Sequence, residues 1–209
     1  MTVSAASPPV WFRLPPGFHD LSPNDRAALT EITEALGAPN AQRGLGRLMD
    51  GLEELDDHHV VHTAIGLHPD VPDGVCTSLF SLAIRPVAAD LLPSLGRTAL
   101  AIADSSLWIN RARRLLELPS TLPCYLIAGT IALPGTGQQL FQARAATAHA
   151  DGRHILVLDL TSAATHQADA YSDIIEAIAH TVAFTDPDPD PDPGPTVAPK
   201  TSRILEVLL

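Results

Sequence analysis

Residues 122–184 carry the densest set of fold signals in this sequence. Three runs rich in apolar and β-branched residues follow one another: 122–133, 140–150 and 153–161. Turn-forming residues separate them, with Pro134-Gly135-Thr136-Gly137 after the first run and Asp151-Gly152 after the second. Because an Asp-Gly pair between two strands favours a tight type I′ turn, the last two strands are predicted to be antiparallel neighbours. The pattern predicts a three-stranded meander.

An amphipathic helix is predicted directly after the meander. Apolar residues recur there at helical spacing: Tyr171, Ile174, Ile175, Ile178 and Val182. The third strand is apolar on both faces, since Leu156, Leu158 and Leu160 alternate with Ile155 and Val157. We therefore predict an α/β (α+β) domain with a central, mainly antiparallel β-sheet covered by helices on both faces.

The residues before the meander are predicted to complete this domain. Strands are predicted over residues 10–14, 59–67, 75–84 and 115–118, and helices over residues 22–36, 41–55 and 87–114. The strands at 59–67 and 75–84 flank a turn, so they should pair. The last helix contains Pro93, which predicts either one long helix or two helices broken at this proline.

Composition divides the chain into four parts. These are a flexible N-terminus (residues 1–9), a single domain (10–184), an Asp/Pro-rich extended linker (185–200) and an apolar C-terminal docking peptide (201–209). Alternating Asp and Pro cannot form a core and favours an extended, semi-rigid polyproline-II spacer. The linker should hold the last residues away from the domain.

The C-terminal peptide is the candidate protein-binding site. Its members are mostly apolar, although a charged spacer precedes them: Arg203, Ile204, Leu205, Val207, Leu208 and Leu209. Such residues avoid water, so three outcomes stay open. The peptide folds back on its own domain, exchanges with a neighbouring copy, or docks in another protein.

Charge and hydropathy exclude some partners and locations. The formal net charge of −11 opposes general nucleic-acid binding, which needs clustered Lys and Arg. No run approaches the roughly 18 apolar residues that a membrane helix needs. The first residues also lack the pattern of a signal peptide, so we expect a cytoplasmic protein without a membrane anchor.

Four histidines form the densest cluster of potential metal ligands: His58, His59, His62 and His68. On a helix, His58 and His62 would share a face and could bind zinc. On the predicted strand they are roughly 13 Å apart, too far for one ion. We therefore expect solvated or edge histidines and no metal, while pH sensing or a small metal-dependent hydrolase remains an alternative.

Other motifs favour structural roles, so no cofactor is predicted. Cys76 and Cys124 lie in apolar strand-like runs and should be buried thiols without a disulfide. The Asp-x-Asp-x-Asp tract from Asp186 lacks the Gly and Glu positions of a calcium loop. The lone glycine pairs lack the lysine of a phosphate loop.

A cluster of Arg111, Arg113 and Arg114 could receive an acidic partner, but a solvated helix end is the favoured interpretation. The chain has twelve arginines and one lysine, with abundant Ala, Leu and Pro. This usage is typical of high-GC, actinobacterial coding. This amino-acid usage indicates no function or mechanism.

Three features together resemble the PsbP-like fold, in particular its bacterial members of the LpqN type and small actinobacterial proteins of uncharacterised function. They are the opening segment Trp11-Phe12-Arg13-Leu14-Pro15-Pro16-Gly17-Phe18, the strands around Asp151-Gly152, and the closing helix from Tyr171 to Phe184. Members of that fold are mostly binding or assembly factors, so the resemblance implies a non-catalytic task. The lipoprotein members carry a lipidation cysteine that this sequence does not show.

We therefore expect a non-enzymatic protein-binding or assembly module of a bacterial complex. Its partner would be another protein, or a second copy, contacted through the C-terminal tail. Two alternatives remain: a small metal-dependent hydrolase using the histidines of residues 58–68, and an acidic immunity or chaperone-like protein that clamps a basic partner.

Overall fold

The structure is a computed structural model that describes residues 8–21, 59–70, 74–87, 91–133 and 137–186. Within these ranges the chain forms seven strands and two α-helices. In chain order they are β1 (Phe18–Asp20), β2 (Val60–Asp70), β3 (Gly74–Pro86), α1 (Leu91–Ala103), β4 (Trp108–Glu117), β5 (Pro123–Ala132), β6 (Gln139–Ala148), β7 (His154–Ser162) and α2 (Ala168–His180). A 3₁₀ turn, Thr165–Gln167, precedes α2.

The seven strands form one antiparallel sheet in the order β1-β2-β3-β7-β6-β5-β4. The predicted meander is confirmed as β5-β6-β7, and the predicted pair around residues 69–74 is confirmed as β2 and β3. The two halves of the sheet join through β3 and β7, which are far apart in sequence. A strand from the middle of the chain therefore lies against the last strand.

The turn between β6 and β7 differs from the predicted type I′ turn. The strands end at Ala148 and resume at His154, so five residues connect them. Gly152 has a φ of 71°, but Asp151 is not among the residues with positive φ. The Asp151 carboxylate instead accepts the Arg153 N–H at 2.8 Å and lies 2.5 Å from His154 Nδ1. Side-chain hydrogen bonds therefore hold a longer loop in place of the tight turn.

The main core lies between α2 and the sheet. Tyr171, Ile175 and Ile178 of α2 are at most 1% exposed and pack on Leu156, Leu158 and Leu160 of β7 and on their neighbours. The predicted stripe of α2 is thus confirmed, and the helix ends at His180. Burial of these large side chains supplies the main driving force for folding of this unit.

A smaller apolar cluster joins α1 to the sheet. Leu95 of α1 packs on Ala146, Ala148 and Ile155, residues that alternate along β6 and β7 with those of the main core. A seven-stranded antiparallel sheet with two helices agrees with the predicted α/β class. The predicted helices over residues 22–36 and 41–55 lie outside the described residues, and coverage of both faces by helices stays a prediction.

Two predictions of secondary structure were wrong. The helix predicted over residues 87–114 ends at Ala103, and its second part is the strand β4. Pro93 does not break α1, because it lies in the first turn, where its missing N–H has no helical acceptor to lose. The strand predicted over residues 10–14 is a single bridge between Trp11 and Ala183.

Candidate protein-binding edge of the sheet

The predicted protein-binding residues are Arg203, Ile204, Leu205, Val207, Leu208 and Leu209, and all lie outside the described residues. So does most of the Asp/Pro-rich linker, which begins at the last described residue, Asp186. The C-terminal docking peptide therefore stays a prediction from sequence. A surface that could receive such a peptide is present in the described part of the chain.

Strand β4 forms one edge of the sheet. It is 10 residues long and pairs with β5 along one side, and no described strand pairs with its other side. The opposite edge, β1, has only three residues. A long edge strand presents a row of backbone N–H and C=O groups to which another strand can pair. We refer to β4 and the side chains around it, Leu100, Ile109 and Leu115, as the β4 edge.

The ends of β4 are held firmly in place. The Trp108 Nε1–H donates to the Ile102 carbonyl of α1 at 2.7 Å, which fixes the turn between the two elements. At the other end Leu116 and Leu118 are about 95% buried in the main core. The strand is thus anchored at both ends while its middle is exposed.

A close approach of β4 to β5 sets the register near its start. The ladder shifts between Trp108 and Asn110, and the Asn110 Oδ1 accepts the Thr130 N–H at 3.0 Å. At Gly129 an added Cβ would meet the Asn110 carbonyl oxygen, and Arg111 Cα at 2.8 Å. Only glycine fits there without a movement of the edge strand.

Three apolar side chains of the β4 edge are more than half exposed. Leu100, Ile109 and Leu115 are 55%, 52% and 64% exposed, respectively. Helix α1 packs mainly over β6 and stops short of covering β4. A hollow of about 250 Å³ remains between α1 and the strands, with Gly96, Ala99 and Leu100 along its helical wall. Exposed apolar side chains beside an open strand are typical of a protein-binding surface.

On the other side of the β4 edge, a groove of about 540 Å³ lies between the strands and the first half of α2. Leu126, Ala128 and Phe141 contribute apolar surface to the groove, and Asp169 and Asp173 of α2 line it with carboxylates. Alternate residues of an added strand would point into this groove and into the hollow beside α1, because successive side chains leave a strand on opposite faces.

Three arginines give β4 its charge. Arg111 and Arg113 share the Asp104 carboxylate at 3.6 and 2.9 Å, and Arg114 pairs with Glu176 of α2 at 2.9 Å. The predicted position of these residues at a helix end was wrong, since they lie on the edge strand. Beside Asp104, two arginines face one carboxylate, which leaves this part of the edge basic.

The histidines lie apart from the β4 edge. His62 contacts the rings of Phe12 and Phe80, and His68 packs against Phe18 and Tyr171 and lies 2.8 Å from Ser78 Oγ. Burial lowers the pKa of both imidazoles; for His62, the Asp20 carboxylate 3.5 Å away partly offsets this. His59 lies in the turn before β2, and His58 lies outside the described residues.

The histidine arrangement suits packing better than metal binding. His62 and His68 are six residues apart on β2, about 20 Å at the usual rise of a strand. Within the described ranges, the structure brings no three His, Cys, Asp or Glu side chains together around a possible ion. Gly66 leaves the space for His68, because a Cβ there would lie 2.5 Å from His68 Nε2.

The two cysteines are buried and unpaired, as predicted. Burial raises the pKa of the Cys124 thiol to about 12, and the nearby Glu176 carboxylate acts in the same direction. The Tyr171 hydroxyl donates to Cys76 Sγ at 3.3 Å. Neither setting is exposed and electropositive, as a nucleophilic thiolate requires.

A polar cluster lies on β6 and β7 beside a cavity of about 410 Å³. The Asp159 carboxylate pairs with Arg144 and accepts hydrogen bonds from Gln142 Nε2 at 3.1 Å and from Thr161 Oγ1 at 2.8 Å. Its oxygens are thus occupied by donors from the protein. This arrangement stabilises an ion pair and does not present a free base.

The β4 edge was not predicted, because the helical prediction over residues 87–114 included Leu107 and Ile109. A signal was present in Asp104-Ser105-Ser106, since short polar residues in a row favour a turn. In the structure α1 ends at Ala103, and the Asp104 N–H donates to the Leu100 carbonyl. The chain then reverses into β4.

The fold and this surface define a class: an α/β domain with an antiparallel sheet, two described helices and a basic edge strand that no further described strand pairs with. Neither described helix is long and apolar enough to cross a membrane.

No protein-family model matches the sequence, and no curated protein matches it either. Among solved structures, the chain is similar to LpqN of Mycobacterium tuberculosis, a protein described as involved in cell envelope biogenesis. The identity is 11%, the TM-score is 0.47, and the alignment covers 86% of this chain and 85% of LpqN. This is a loose relationship of fold that assigns no family.

Proposed function

We propose that this protein is a non-enzymatic protein-binding or assembly module, and that the β4 edge is its docking surface. The observation that carries the proposal is a 10-residue edge strand whose outer side has no described partner, beside Leu100, Ile109 and Leu115, which are all more than half exposed. The occupant would be an extended protein segment that adds to the sheet as a further strand.

The chemistry of strand addition fits this surface. Each main-chain hydrogen bond contributes about 0.5–1.5 kcal/mol net, so affinity comes mainly from the length of the pairing. Side chains supply the selectivity, because alternate residues of the added strand meet the apolar hollow beside α1 and the groove beside α2. Arg111 and Arg113 favour a segment that carries a carboxylate.

Several finer features belong to the same proposal. The sheet would be covered by helices on both faces, in the manner of the PsbP-like fold that the sequence resembles. The C-terminal peptide, residues 201–209, would make an intermolecular contact within a bacterial complex in the cytoplasm. Cell fractionation followed by immunoblotting tests the location.

Two matched substitutions test the docking surface. Leu115→Glu places a carboxylate on the β4 edge, and Leu92→Glu places one at a residue that is equally exposed, 61% against 64%, but lies in the first turn of α1. Both glutamate variants should keep the circular dichroism spectrum of the unsubstituted protein. In a separate experiment, a photoreactive residue at position 115 should form a defined cross-linked adduct with the docked segment, and one at position 92 should not.

The outcome of the cross-linking decides the proposal. An adduct that forms at position 115 and is lost when Ile109→Glu is added supports docking on this edge, because both residues belong to β4. Equal cross-linking at positions 115 and 92, or none at either, contradicts it.

A further inference from the structure

We infer that the segment docking on the β4 edge is the C-terminal peptide of a second copy of this chain, residues 204–209, paired as an eighth strand. This inference rests on the proposed function, since it uses the same surface. It names the occupant, which the proposed function leaves open.

The pattern of the peptide matches the pattern of the edge. On the side of β4 that faces α1, Arg111, Arg113 and Leu115 occupy alternate positions, two basic residues followed by an apolar one. One face of the peptide reads Ile204, Glu206 and Leu208, an acidic residue between two apolar ones. With Glu206 opposite Arg113, an apolar residue lies opposite Leu115 in either strand direction.

The other face of the peptide also fits. Leu205, Val207 and Leu209 would point toward the groove beside α2, to which Leu126, Ala128 and Phe141 contribute apolar surface. Ala112 also lines this groove, and its small side chain leaves room there for the side chains of the peptide. Burying three aliphatic side chains there would provide the affinity that one exposed ion pair cannot.

Charge argues against direct pairing of two β4 strands. A two-fold axis at Arg113 would place this arginine opposite its own copy, and an axis at Ala112 would place Arg111 opposite Arg113. Like charges directly opposite each other on paired strands are destabilising. An apolar segment with a carboxylate meets no such repulsion.

The length and stiffness of the linker favour a neighbouring copy. The chain leaves the domain beside β6, where the ring of Phe184 lies 4.5 Å from that of His149. A strand added outside β4 at the same end of the sheet would lie three strand spacings away, roughly 15 Å. Residues 186–193 alternate Asp and Pro, a pattern that favours an extended spacer of about 25 Å. A spacer of that length would pass beyond the edge of its own sheet and reach the sheet of another molecule.

Reciprocal exchange of the peptides would give a closed dimer with two identical contacts. The full-length chain should therefore be dimeric by size-exclusion chromatography with light scattering, and so should the Leu92→Glu control. Deletion of residues 201–209 should give a monomer, and so should Leu115→Glu.

Mixing the two monomeric variants gives the sharpest test. The deletion variant keeps an intact β4 edge, and Leu115→Glu keeps an intact C-terminal peptide. An equimolar mixture should form a heterodimer through one contact, whereas neither variant associates alone. One contact is weaker than two, so the mixture is tested up to the highest concentrations at which each variant alone stays monomeric; absence of the heterodimer there overturns the inference.

A charge exchange tests the register. Arg113→Glu and Glu206→Arg should each weaken the dimer roughly four- to 25-fold, because a closed dimer contains two such exposed ion pairs and each contributes about two- to fivefold; the double variant should recover most of this loss. Losses that simply add in the double variant would show that these two side chains are not opposite each other, and the stated pairing is then wrong.

The two proposals fail in different ways. The exchange of C-terminal peptides is excluded if the full-length chain is monomeric, or if the chain stays dimeric after deletion of residues 201–209. Specific cross-linking at position 115 in the deletion variant would then show another protein on the edge, so the proposed function would stand. Loss of dimer on deletion but not in Leu115→Glu would place the peptide elsewhere and contradict the inference.

Discussion

Gly129→Ala should displace the β4 edge and destabilise the protein. A Cβ at this position would lie 2.8 Å from Arg111 Cα and 2.9 Å from the Asn110 carbonyl carbon, and closer still to the Asn110 oxygen. All are main-chain atoms, so no side chain can rotate away, and β4 itself must move. We expect a cost of about 1–3 kcal/mol for this overpacking, reduced by about 0.4–1 kcal/mol because alanine restricts the unfolded chain.

Gly96→Ala is the matched control, because it is expected to raise the free energy of unfolding where Gly129→Ala lowers it. Gly96 lies in the middle of α1, and an added Cβ there meets no atom within 4 Å. Alanine should stabilise the helix by about 0.5–1 kcal/mol. With a central net loss of about 1.3 kcal/mol and a urea m value of about 2 kcal/mol/M, the midpoint should fall by roughly 0.6 M for Gly129→Ala. It should rise by roughly 0.25–0.5 M for Gly96→Ala.

Hydrogen exchange locates the effect of Gly129→Ala. Amides of β4 and of its partner β5 should exchange faster in this variant, while those of β2 and β3 should change only as much as global stability does. A neutral or stabilising Gly129→Ala would refute the close approach of β4 to β5. The position of β4 as the edge strand next to β5, on which the proposed docking surface depends, would then also be in error.

Three further predictions concern the core and the titrating groups. Ile178→Ala should cost about 2–5 kcal/mol in urea unfolding, and Ile174→Ala clearly less, because Ile178 is fully buried and Ile174 only partly; equal losses would contradict the position of α2. Since burial lowers the pKa of His62 and His68, the unfolded chain binds more protons, so the free energy of unfolding should fall as pH drops below about 6.5. His62→Phe should flatten this slope in urea titrations at several pH values, and an unchanged slope would exclude His62 as its source. Cys124, with its pKa raised to about 12, should not react with a thiol reagent at neutral pH until urea unfolds the chain; fast labelling of the native protein, assigned to Cys124 by mass spectrometry, would contradict its burial.

The elements that sequence reasoning predicted well are those with a buried face. Leu156, Leu158 and Leu160 of β7 alternate with Ile155, and Ile175 and Ile178 of α2 follow a helical stripe, so their periodicity is readable. β4 has one buried residue, Leu116, and no buried alternation. Its arginines, alanine and leucines also have high intrinsic helix propensity, so local preference indicated a helix where pairing with β5 produced a strand.

The turn after β6 shows a second limit of local rules. Asp-Gly favours a two-residue turn, but His149 and His154 extend the pairing of the two strands, since the His149 N–H donates to the His154 carbonyl at 2.9 Å. The Asp151 carboxylate then binds the Arg153 N–H. These interactions depend on side chains brought together by the hairpin itself, so the dipeptide alone could not reveal them.

The arginines of β4 explain both why the strand was missed and why its edge can be selective. Basic residues on an exposed edge oppose pairing with an identical edge, which is how many sheets avoid uncontrolled association. Arg111 and Arg113 do so here, yet Asp104 neutralises only one of their two charges. In the proposed dimer, repulsion of a second β4 strand and attraction of an apolar strand that carries one carboxylate would act on the same surface. The difference between the two binding free energies would then set which segment is accepted.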